Sequence, residues 1–149
     1  MTVDPYRRVL VIDDEESIRR MLGSALRQRA LSVDEASDGR DAIALLTANR
    51  YSVVLLDLLM PGVDGFHVLE AIGNGDHPPV VLVVSGAERA LIDRIDSGRI
   101  HGIVRKPFDP VEIADIVQAC AEIRSRSAFE TMAYATVMAG APLIALLKL

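Results

Sequence analysis

Five short apolar runs, four of them closing on charged or hydroxyl residues, constrain this chain more than any other feature. Arg8–Ile12 (RVLVI) ends at Asp13 and Asp14, Ser52–Leu56 (SVVLL) at Asp57, and Val80–Val84 (VVLVV) at Ser85. Ile100–Val104 runs on to Lys106-Pro107, and Leu31–Ala36 alternates well enough for a fifth strand. Amphipathic stretches separate them. Glu15–Arg29 carries Ile18, Met21, Leu22, Ala25 and Leu26 at helical spacing. Asp38–Ala48, Val63–Ile72 and Ala87–Ser97 predict three more helices. A last one is predicted from Asp109-Pro110 to about Arg124, with Asp as N-cap and Pro at the first helical position. The pattern is (βα)5, an α/β chain. Fully apolar strands imply a parallel sheet covered on both faces, doubly wound with right-handed crossovers.

Composition narrows the chemistry. A length of 149 residues suits one domain. A net charge of -5 gives no electrostatic reason to bind nucleic acid. The single Cys120 excludes an internal disulfide and a cysteine zinc cluster. His67, His77 and His101 lie far apart, without ligand spacing, and carry no assigned role. No signal-peptide pattern is visible at the N-terminus, so the expected compartment is the cytoplasm.

Ligands of doubly wound sheets sit beyond the carboxyl ends of the strands. Asp13, Asp14, Asp57, Ser85 and Lys106 occupy those ends here and should share one crevice. Carboxylates that close suppress each other's ionisation, and a divalent cation removes the conflict. Oxygen donors without His or Cys point to Mg²⁺, with Mn²⁺ as the other candidate. The Ser85 hydroxyl and the Lys106 ammonium suit the remaining oxygens of a phosphoryl group. Asp57 can then act as a carboxylate nucleophile and form an aspartyl phosphate. Taken singly, each residue has a plainer reading: Asp13 as a helix cap, Asp57 or Ser85 as a turn residue, Lys106 as a solvated cation. Four strand ends with a matching set make the joint reading the better one.

The motifs VLVIDDEESIR (Val9–Arg19), VVLLDLLMPGVDGF (Val53–Phe66), VVLVVSGA (Val80–Ala87) and VRKPFD (Val104–Asp109) resemble the receiver domain of two-component response regulators. The resemblance covers roughly residues 7 to 124. It implies a flavodoxin-like fold with strand order 2-1-3-4-5. It implies Asp57 as phosphoacceptor, Asp14 as direct Mg²⁺ ligand, Asp13 acting mainly through water, and the Leu59 backbone carbonyl as a further ligand. Ser85 takes the place of the switch hydroxyl, Lys106 that of the phosphoryl-binding lysine, and Lys106-Pro107 resembles the family's cis peptide. Gly86 is small enough to leave room for the phosphate. The implied partners are a sensor histidine kinase or a histidine phosphotransfer protein, and an output protein that the sequence does not name. A homodimer through the fourth helix, fifth strand and fifth helix, or through the tail, is a further expectation.

Two departures stand out. The family usually carries Tyr or Phe three residues before the lysine, and here that position is Ile103. The signal is then expected to travel through Gly86–Arg89 without a ring rotation. The positions that tune phosphoryl lifetime are Leu59 and Ala87, and neither can orient an attacking water by hydrogen bonding, so slow self-hydrolysis is expected.

Residues 1–124 are read as the receiver domain and 125–149 as an apolar C-terminal extension, expected to be helical. Thr131–Leu147 holds no charged residue, but its Ala, Gly and Thr content and Pro142 argue against a membrane span. The chain is not expected to be a conventional enzyme. A haloacid dehalogenase-like phosphatase would need a second acid at Leu59, and a phosphorylation-independent scaffold would not need the intact Asp14, Asp57, Ser85 and Lys106 set.

Overall fold

The computed structural model describes residues 4–73, 77–96 and 98–138. Five parallel strands form one sheet: β1 (Arg8–Ile12), β2 (Ser32–Ala36), β3 (Val53–Leu56), β4 (Val80–Ser85) and β5 (Gly102–Arg105). Their order is β2-β1-β3-β4-β5, the expected flavodoxin-like topology. Helices α1 (Glu16–Arg27), α2 (Gly39–Ala48), α3 (Gly65–Ile72), α4 (Arg89–Ile92) and α5 (Pro110–Met138) connect and follow the strands.

Alternation along each strand sorts the core into two layers, because successive side chains point to opposite faces. Leu10, Ile12, Val54, Leu56, Val81 and Val83 face α2 and α3, where Ala42, Val68, Leu69 and Ile72 close the layer. Val9, Val11, Val53, Leu55, Leu82 and Val84 face α1 and α5, against Leu22, Leu26, Ile113, Val117 and Ala121. Both faces are thus covered, which is why these strands read as unbroken apolar runs. The register pairs Val11 with Leu55, Leu55 with Leu82 and Val84 with Val104, so the carboxyl ends line up at one pole.

Several boundaries differ from the sequence expectation. The chain does not enter β1 directly: Pro5–Arg7 makes one 3-10 turn, with the Asp4 carboxylate accepting from the Tyr6 amide at 2.9 Å. Helix α3 starts at Gly65, not Val63, because Asp64 caps it by accepting from the Phe66 and His67 amides. The fourth helix, expected over Ala87–Ser97, is only Arg89–Ile92. Glu88 gives it no side-chain cap, and after Ile92 the amides of Arg94 and Ile95 bond three residues back, which tightens the chain into turns. Asp93, Asp96 and Gly98 favour turns over helix. β5 is shifted to Gly102–Arg105, and the preceding His101 uses Nδ1 to accept the Val81 amide at 3.0 Å.

The largest difference is α5. It does not end near Arg124 but continues to Met138, 29 residues and about 43 Å at 1.5 Å per residue. No Gly or Pro interrupts 111–138, so nothing in the sequence stops it before Gly140. Residues 139–149, with Pro142 and much of the uncharged stretch, lie outside the described residues. Among the described residues no helix is long and apolar enough to cross a membrane.

Candidate functional site

Three strands hand a candidate residue to the crevice by one further ladder bond. The Asp13 amide donates to the Ala36 carbonyl at 3.1 Å, Asp57 to Ile12 at 2.9 Å, and Lys106 to Ser85 at 3.2 Å. Backbone pairing with neighbouring strands therefore fixes where these side chains start.

Asp57 is the centre, only 4% exposed. Its Oδ1 accepts from the Ser85 hydroxyl at 2.9 Å and from the Leu59 amide at 3.0 Å. Its Oδ2 accepts from Lys106 Nζ at 3.2 Å, and the same ammonium donates to Asp13 Oδ2 at 2.7 Å. The Ser85 hydroxyl also accepts the Ala87 amide at 3.2 Å, tying the site to the loop that leads into α4. Asp13 and Ser85 are buried and Asp14 is exposed, so the crevice opens on Asp14.

Burial pushes the Asp13 carboxyl above the usual carboxylate value; the bond to Lys106 opposes the shift without cancelling it. Burial alone would lower the Lys106 ammonium, but the bond to Asp13 and the charges of Asp57 and Asp13 raise it overall. One ammonium serves a crevice that holds three aspartates. Oxygens of Asp13, Asp14 and Asp57 all lie within 4.8 Å of one another. That is an uncompensated, oxygen-only donor set, and it fits a hard divalent cation such as Mg²⁺. The Lys106–Pro107 peptide is cis.

The remaining residues singled out in the sequence fall around this centre. Leu59 is half exposed at 51%, whereas Ala87 is buried in the α2–α3 layer. A Cβ on Gly86 would meet no atom within 4 Å, so packing does not demand glycine there. Ile103 sits on β5, 42% exposed.

Two neighbours escaped the sequence reading. Arg19, one turn into α1, donates to the carbonyls of Asp13 at 2.8 Å and Asp14 at 3.2 Å and holds their loop. Glu15 Oε1 lies 3.7 Å from Lys106 Nζ, a third carboxylate near the ammonium after Asp13 and Asp57. Glu15 directly follows the Asp pair, and that adjacency was its available signal; Arg19 lies five residues past Asp14 and is brought back only by the start of α1.

Residues 9–118 match the model of the response regulator receiver domain. The transcriptional regulatory protein SrrA of Staphylococcus aureus is 35% identical over 112 residues, 74% of this chain and 46% of that protein. The chain therefore spans about half the length of the curated relatives it matches. Response regulator TrrA of Thermotoga maritima, solved in complex with Mg²⁺-BeF, superposes with a TM-score of 0.67 at 27% identity, covering 76% of this chain and 98% of that one. Chemotaxis protein CheY4 of Vibrio cholerae gives 0.68 at 27% identity over 76% and 97%. With its sheet order and its family match in agreement, the chain belongs to the response regulator receiver domain family.

Proposed function

We propose that this chain is a phosphorylation-controlled switch of a two-component pathway, with Asp57 taking the phosphoryl group from a phosphohistidine. The donor is a sensor histidine kinase or a histidine phosphotransfer protein, which sets the exchange in the cytoplasm. One observation carries the reading: a buried Asp57 carboxylate whose two oxygens are held by Ser85, Leu59 and Lys106 beside Asp13. An Asp57 oxygen attacks phosphorus, the P–N bond breaks, and the imidazole nitrogen leaves with the bonding pair. Lys106 neutralises phosphoryl oxygens as they approach, a preorganised charge that needs no rearrangement. Asp13, Asp14, Asp57 and the Leu59 carbonyl would hold Mg²⁺, which supplies positive charge to the phosphoryl oxygens when bound.

Ser85 is the switch. Its hydroxyl donates to Asp57 and accepts from the Ala87 amide, so moving it onto a phosphoryl oxygen moves the loop Gly86–Arg89. That loop leads into α4, a single turn without a side-chain cap. The α4–β5–α5 surface then shifts population, and an output protein or a second copy reads it; passing the phosphate onward is the other use. Residues 1–124 form this switching unit and 125–149 extend it. Leu59 and Ala87 leave attacking water unoriented, so the phosphoryl group decays slowly. Leu59→Asn should shorten the phosphoryl half-life several-fold, followed as loss of the mass adduct with time.

The test is intact-mass spectrometry after incubation with Mg²⁺ and acetyl phosphate. One phosphate adduct that needs Mg²⁺ and disappears in Asp57→Asn supports the switch. No adduct in protein shown to bind Mg²⁺ would leave a phosphorylation-independent scaffold.

A further inference from the structure

The part of α5 beyond the expected helix end passes the base of the sheet, where β3 and β4 begin, opposite the Asp57 pole. A cleft of about 600 Å³ opens between them. That volume lies within the range of small-molecule sites. Its apolar wall comes from Ile123 and Met132 on the helix and from Val80 on the sheet. Ile123 and Met132 are large apolar side chains exposed at 65% and 48%.

Beside Tyr6, His77, Ser127 and Thr131, the polar lining holds two pairs of groups that differ in kind. The Tyr51 hydroxyl is bonded to Asp34 and the Ser52 hydroxyl to the Arg8 carbonyl, so both are spent within the fold. Arg124 and Arg50 are not. Arg124 Nε is buried without a hydrogen-bond partner, the one such side-chain atom among the described residues. Arg50 has no acidic partner among them, and no carboxylate of the described residues lines the cleft. A buried guanidinium donor without an acceptor is costly, and such groups are normally satisfied. In a chain of net charge -5, two cations with no ion-pair partner among the described residues, beside an apolar wall, run against the average surface.

We propose that this cleft binds a small amphipathic carboxylate, its head on Arg124 and Arg50 and its apolar body along Ile123 and Met132. The planar guanidinium fork matches a carboxylate in two parallel hydrogen bonds. An apolar body alone would leave Arg124 Nε unsatisfied, and a bare anion would leave the apolar wall wet. Neither half of the ligand suffices.

Isothermal titration calorimetry of the full chain tests this with decanoate below its micelle concentration, against decanol and acetate. Decanoate should bind with one-to-one stoichiometry, and decanol and acetate at least tenfold more weakly. Arg124→Gln and Arg50→Gln should each weaken decanoate at least tenfold, with Arg124→Lys recovering part of the loss. Far-UV circular dichroism should be unchanged; Arg50 is exposed, so its variant keeps the comparison sound if Arg124→Gln disturbs the helix. Equal binding of decanol, binding indifferent to both arginines, or no binding would overturn the proposal. The last is also the result expected if the chain's own residues or a second copy fill the cleft.

Discussion

Lys106 donates to Asp13 at 2.7 Å and to Asp57 at 3.2 Å, so its ammonium stands where a cation shared by both carboxylates belongs. Removing it leaves two buried carboxylates facing each other. Lys106→Met should therefore cost the metal-free protein about 2–3 kcal/mol, and saturating Mg²⁺ should recover much of it. Urea unfolding with and without Mg²⁺ measures both; an equal gap in the two conditions would contradict the argument. Protonation follows the same geometry. The folded protein holds the Asp13 proton more tightly than the unfolded chain, so ionising Asp13 costs stability. Metal-free stability should fall as pH rises from 3.8 through the raised folded value, and Asp13→Asn should flatten that limb of the curve. The raised Lys106 acts at the other end: its contribution is present below 10.5 and lost as pH climbs through its folded value. The convergence of Asp13, Asp57, Ser85 and Lys106 was legible because each ends an apolar run. Arg19 was not, because its reach back to the Asp13 and Asp14 carbonyls depends on how α1 leaves the loop.

Among the elements, those whose ends are marked by side-chain chemistry were the readable ones. Asp38 caps α2 by accepting the Asp41 amide at 2.8 Å, and the helix starts one residue later, close to expectation. Asp64 does the same for α3, but the Pro-Gly turn before it hid the true start. Asp64→Ala should cost about 1 kcal/mol. Its carboxyl is held below the usual value: the little burial it has pulls upward, and the His67 and Phe66 bonds outweigh it. The cap's contribution is therefore present above 3.8 and lost as pH falls through the lower folded value, so Asp64→Ala and the parent chain should converge in acid. Chemical denaturation across that range checks it. Elements lacking such marks were misjudged in both directions. α4 has helical spacing but no cap and turn-forming residues behind it, so it stops after Ile92. α5 has no breaker, so it runs past the point where its burial against the sheet fades, Ala121 being the last buried residue among those described.

Across the whole molecule, strand order was fixed by a resemblance and by nothing in the periodicity. Apolar runs announce a buried parallel sheet; they do not say that β1 lies between β2 and β3. The two core layers follow from alternation once the order is known. All sheet neighbours are parallel, so every pairing is non-local and the domain should unfold as one unit. Phosphate uptake from acetyl phosphate and circular dichroism should then be lost at the same urea concentration; uptake that outlives the helical signal would mean that a fragment suffices. On the proposed function, the four side chains that would handle the phosphoryl group come from the ends of four different strands, with Lys106 following the last and outermost. A nascent or nicked chain lacking β5 would hold the nucleophile and no counter-charge, and would stay silent to its donor. On that reading the reaction inspects its own scaffold: only a finished sheet can be written on.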